Sequence, residues 1–243
     1  MKAVIKLLLL LSILVNISCS QEEEKYPLSK PYWDYTDYGA AIWELNNSKE
    51  EKLPTYDDPE TTPILKKILD PSNYEVVLND NSLGKKYKNE LANKYWDNLK
   101  KLSEPYSQLD RQDHYLYEKE FILTTKFFLG FQPVYFESYI ELAKETAEDM
   151  ESIQPNINSN IQILFDNYTN YLEYFNYEAR FSTQGITSLG EGLSEYFIPL
   201  AKKYPRFSKK IWLQKVIKLQ AKVKSVAALN ELSKLQEAIA SEE

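Results

Sequence analysis

One cysteine and one histidine in 243 residues leave little room for several kinds of chemistry. A lone thiol excludes a disulfide framework and any multi-cysteine zinc or iron–sulfur site. A lone imidazole excludes a catalytic metal site built on two or three histidines, so neither a metal nor another cofactor is expected. Glycine is scarce too, with six residues; the eleven prolines show no repeat, and aromatics reach 14%. That composition fits neither a collagen-like chain nor a disordered one. Excess basic charge is also absent. With 36 acidic against 29 basic side chains the formal charge is −7, which argues against nucleic acid as a partner. No G-x-S-x-G elbow, P-loop or G-x-G-x-x-G fingerprint occurs, so no catalytic residue can be named and a non-enzymatic role is expected.

The amino terminus carries the most specific pattern. Lys2 and Lys6 precede an apolar run from Leu7 to Val15, and Asn16-Ile17-Ser18 leads to Cys19. The run falls short of the ~20 apolar residues a membrane span needs but suits a secretory signal. Small Ser18 before Cys19 resembles the lipobox of bacterial lipoproteins, although Asn16 stands where Leu or Val is usual. The resemblance implies that residues 1–18 are a signal peptide, removed ahead of Cys19. It also implies that Cys19 bears the acyl chains, palmitate among them. The run Glu22-Glu23-Glu24 resembles the surface-export signal of Bacteroidota lipoproteins; it reads equally well as a solvated, self-repelling tether. The implied address is the outer membrane, lipid-anchored, on its periplasmic or its cell-surface side. Cleavage would leave 225 residues of formal charge −9.

Beyond a polar tether over residues 19–31, the spacing of apolar residues over 32–243 predicts an all-α, single-domain bundle of about six helices with an extended aromatic N-terminal arm. Asp34 or Thr36 is expected to cap a short helix with Tyr38, Ala41, Ile42 and Leu45 on one face. Thr62-Pro63 is a helix start. Tyr74 to Leu78 fits a brief strand or a helical turn. Leu83 to Leu102 forms a periodic helix. Asp110 to about Ala147 has a nearly continuous apolar centre, with Gly130 and Pro133 expected to kink or break it. Ile157, Ile161, Leu164, Tyr168, Tyr171, Leu172 and Phe175 form the cleanest stripe. Ser182 is expected to cap the next segment, and Ser208 a last helix running from the Trp212 stripe through Leu235.

Three features invite a functional reading. Asp110, His114 and Glu118 are spaced by four and would share one helix face; a solvent-facing row of intrahelical pairs is the simpler account. The aromatics Tyr32, Trp33, Tyr35, Tyr38 and Trp43 suggest a surface for a glycan or protein partner, or an arm pinned by its rings. From Tyr196 to Asn230 there are nine cations and no acid. Lys215, Lys218 and Lys222 share a face suited to an anionic surface, or one that complements the acidic body. The leading expectation is a non-enzymatic binding lipoprotein held to the membrane by its anchor. An immunity or inhibitor lipoprotein that neutralises an exported toxin, and a carbohydrate-active enzyme, are the alternatives.

Overall fold

A computed structural model describes residues 27–47, 53–109, 114–204 and 209–240. Cys19, Glu22 to Glu24, Asp110, Arg206 and the expected cap Ser208 lie outside the described residues. The chain forms a single all-α domain. Its helices are α1 (Tyr35–Asn47), α2 (Thr62–Ile68), α3 (Ser72–Asn79), α4 (Lys85–Tyr106), α5 (Glu118–Thr146) and α6 (Met150–Tyr171). A 3-10 stretch (Leu172–Arg180) follows, then α7 (Thr183–Lys203), α8 (Lys209–Gln220) and α9 (Val226–Ala240). Among the described residues the one β-type contact is an isolated bridge between Leu109 and Tyr115. Helix α5 is the axis of the bundle. It packs on α3, α4, α6 and α7; α1 covers α4 on one flank, and α9 joins α7 to α8 on the other.

The segment around Tyr74 is helical, and α1 buries the expected Tyr38, Ala41, Ile42 and Leu45. Asp34 caps α1, its Oδ1 accepting the amides of Thr36 (2.8 Å) and Asp37 (3.1 Å). Ser182 caps α7 by accepting from the Gly185 amide at 3.0 Å. Helix α2 does start at Thr62, but the Thr62 hydroxyl donates back to Tyr56 O and Asp58 O and so does not cap the helix.

Three expectations are corrected. The first is where the arm sits: the expected short helix, α1 from Tyr35 onward, is part of the core and not of an extended arm laid against it. Trp33 anchors its entry. Its amide donates to Asn73 Oδ1 (2.7 Å), its indole to Pro27 O (2.9 Å), and its carbonyl accepts from Tyr95 Oη (2.8 Å).

The second is that, of the kink or break expected at Gly130 and Pro133, the break does not occur: α5 runs through both. Proline removes the amide that would have bonded the carbonyl four residues earlier, on Leu129. Tyr168 Oη of α6 donates to that same oxygen, so the orphaned acceptor is satisfied from a neighbouring helix. Pro105 in α4 follows the same rule, with Lys101 O accepting from Asn46 Nδ2 of α1 at 3.3 Å. Gly130 serves close packing: a Cβ there would lie 2.9 Å from the Tyr196 ring and 3.0 Å from Tyr74 Oη.

The third is that the last helix is two. The chain turns over residues 221–225, where the carboxylate of Glu178 accepts the backbone amides of Lys224 and Ser225. Two N–H groups held from outside are incompatible with a helix continuing through them.

A candidate ligand cleft between three helices

The aromatics singled out in the sequence do not share a surface. Trp33 is fully buried and Tyr38 faces the core, Tyr32 and Tyr35 are half-buried, and Trp43 is 61% exposed. Lys94 Nζ sits 4.4 Å above the Tyr35 ring, and Tyr38 meets Tyr95 edge-on at 5.1 Å. These contacts pin α1 to α4. Nor do His114 and Glu118 share a helix face; Asp110, the third member of the expected row, lies outside the described residues. His114 lies in a bend before α5, whose first residue is Glu118. The Glu118 carboxylate accepts both the amide and the hydroxyl of Ser182, joining the start of α5 to that of α7. Among the described residues no group of three His, Cys, Asp or Glu is placed to hold a metal. In the basic stretch, Lys215 is held by Glu173 at 2.6 Å, whereas Lys218 and Lys222 are exposed.

A cavity of about 1020 Å³ opens beside the start of α5 and is lined by Asp57, Glu118 and Glu120 among others. Each carboxylate there already has a structural task. Asp57 pairs with Lys119 at 2.8 Å, Glu118 holds Ser182, and buried Glu120 accepts the Tyr56 amide at 2.8 Å. Acids committed in this way are poorly placed to exchange protons with a substrate.

A smaller cleft of about 370 Å³ has the opposite character. It arises because α4 and α6 each pack on α5 more extensively than on one another, leaving a narrow gap between them over one buried side of α5. Phe121, Thr125, Phe128 and Gln132 follow one another at spacings of three and four and so lie along one side of the helix. Trp96 of α4, together with Tyr171 and Tyr174 at the end of α6 and beyond, adds ring walls. Phe128 meets Trp96 edge-on at 5.4 Å, Phe121 meets Tyr174 edge-on at 5.1 Å, and Tyr135 backs Trp96 in a stack at 5.0 Å. Lys100, Ser103, Glu104, Asn167 and Asn170 complete the rim. One cation and one anion cancel there.

Gln132 is the atypical member. It is 1% exposed, its Nε2 donates to Tyr171 Oη at 3.2 Å, and its Oε1 has no partner. Rotating the amide by a half turn exchanges the two atoms and leaves the nitrogen unpaired instead. In either orientation one amide group lacks a partner, and a buried unsatisfied polar group costs about 1–3 kcal/mol. Burial, the neighbouring Tyr174 adding to it, pushes the Tyr171 hydroxyl above the ordinary tyrosine range, so it stays neutral at physiological pH. The site is therefore uncharged at its base, ring-walled at its sides and polar at its mouth.

The signal for this site stood in the sequence as Thr124, Thr125 and Gln132, uncharged polar residues inside the apolar centre of α5. Periodicity alone could not reveal that two neighbouring helices leave a gap over that side. Against family models, characterised proteins and solved structures, the chain gives no significant match.

Proposed function

We propose that this protein is an outer-membrane lipoprotein, anchored through Cys19, that binds a small neutral ligand without transforming it. The cleft between α4, α5 and α6 is the binding site, and a saccharide is the ligand class that suits it best. The observation that carries the reading is the unpartnered Oε1 of the Gln132 amide at the base of an aromatic-walled cleft. Sugar rings offer apolar C–H faces that pack on aromatic side chains, and hydroxyls that pair with planar amides. A cleft that combines aromatic walls with convergent polar groups is a usual form of a small-molecule site. Balanced charge at the rim favours a neutral ligand over an anion.

Trp96 in the wall makes binding visible by tryptophan emission. Full-length protein in detergent, titrated with neutral and N-acetylated oligosaccharides, is expected to show saturable quenching. Gln132→Leu should weaken binding about tenfold, as expected for one buried hydrogen bond of 1–2 kcal/mol. Trp96→Phe should remove most of the emission change and leave affinity measurable by calorimetry. A panel in which no sugar binds by either method would sink the saccharide assignment. The anchor is tested separately by mass spectrometry of the mature chain, which is expected to begin at Cys19 and carry acyl mass, both lost in Cys19→Ser.

A further inference from the structure

The outward side of α8 has properties that the cleft reading does not use. Helix α8 buries Trp212, Val216 and Leu219, and the Trp212 ring stacks on Phe197 of α7 at 4.2 Å. Its opposite side carries Lys210, Ile211, Gln214, Ile217 and Lys218, followed in the turn by Lys222, all of them exposed. Ile211 is 60% exposed and Ile217 51%; Val226, at the start of α9, is 72% exposed. Apolar groups of this size at the surface are ordinary one at a time. Here they alternate with lysines along one helix, and no acidic residue occurs between Tyr196 and Asn230. The acids supplied by the neighbouring 3-10 stretch are engaged elsewhere: Glu173 holds Lys215, and Glu178 holds the backbone amides of the turn.

We infer that this side of α8 lies on an anionic lipid surface, with the isoleucines entering the headgroup–acyl boundary and the lysines meeting phosphate. Two observations favour a bilayer over an acidic protein. The isoleucines are spread singly among cations and do not gather into one patch, a pattern suited to a fluid surface that needs no matching knob. The side also lacks acids altogether, whereas docking onto a specific protein usually fixes register with charges of both signs. Each lysine near an anionic membrane contributes about 1 kcal/mol, roughly a fivefold change in partitioning. Lys210, Lys218 and Lys222 together supply a strong, salt-sensitive bias in orientation. The inference is independent of the cleft and of what fills it.

The test uses full-length protein bearing Gln214→Cys labelled with an environment-sensitive fluorophore. The parent chain, labelled in parallel, accounts for any reaction at Cys19. Both are reconstituted into vesicles of phosphatidylcholine alone or mixed with phosphatidylglycerol. In the anionic vesicles the probe is expected to emit at shorter wavelength and to be quenched by a lipid-borne quencher, and high salt should reverse both effects. Lys218→Glu with Lys222→Glu should abolish the shift, and Ile211→Ser with Ile217→Ser should reduce it, with circular dichroism unchanged in each. A probe at the exposed position Asp166→Cys on α6 should report water throughout. Equal emission from the Gln214→Cys probe in the two vesicle types, or an equal shift at residue 166, would overturn the inference.

Discussion

Tyr168 shows how much a single hydroxyl can carry. Its partner, Leu129 O, is an acceptor that only Pro133 has left open, so the hydrogen bond and the proline belong together. Tyr168→Phe is expected to cost about 1–3 kcal/mol in urea unfolding, because the carbonyl is buried and no water replaces the lost donor. Pro133→Ala restores the helical amide, and Tyr168→Phe should cost measurably less in that background. A double-mutant cycle showing no coupling between the two would contradict the account. The same pair marks where sequence reading stopped. Proline on an apolar run predicts a kink or break by local chemistry, and the remedy comes from a residue 39 positions beyond Leu129 in the chain. Asp34 and Ser182 were legible because their partners lie within three residues. The role of Gln132 was not legible, because it depends on the gap between α4 and α6 and not on its own neighbours.

At the level of elements, α7 and α9 approach closely through Gly190. A Cβ there would lie 2.5 Å from Glu231 Cβ, too near for any side chain to yield by rotation alone. Gly190→Ala would gain about 1 kcal/mol of helix propensity. It would also force α7 and α9 apart or strain them, and overpacking of this kind costs about 1–3 kcal/mol. A lower melting temperature is therefore expected, and an increase would show that the helix pair can slide without loss. The boundary between α8 and α9 belongs at this scale too. The apolar stripe runs on through both helices, so periodicity read them as one. The reversal is imposed by Glu178, whose carboxylate occupies the amides that a longer helix would have used.

The whole molecule should respond to alkali through its tyrosines. Burial raises the hydroxyls of Tyr38 and Tyr168 well above the ordinary value of 10, and Tyr56 is pushed up to about 12. The sign follows from proton binding. Above pH 10 the unfolded chain releases phenolic protons that the folded chain retains, so unfolding gains free energy as pH rises. This contribution to stability is fully present below pH 10 and is lost as pH rises through the folded values. Lys30, raised by its hydrogen bond to Asp37, acts in the same direction. Thermal melts are expected to fall steeply above pH 10, with the share of tyrosinate absorbance that belongs to the buried rings appearing only together with unfolding. Full tyrosinate absorbance in a still-folded protein would show that these rings are more accessible than their packing implies.

The central position of α5 also bears on the order in which the domain can be assembled. A chain emerging amino terminus first presents α1 to α4, then α5, whose remaining sides wait for α6 and above all α7. Leu129 and Gly130, which meet Tyr168 of α6 and Tyr196 of α7, thus stay uncovered while the last third of the protein is still being delivered. A nascent or translocating intermediate of this kind is a natural client for a holding chaperone, and a truncation before α7 should be sticky and prone to degradation. The helix that organises the finished bundle is, during its biogenesis, the segment most in need of protection.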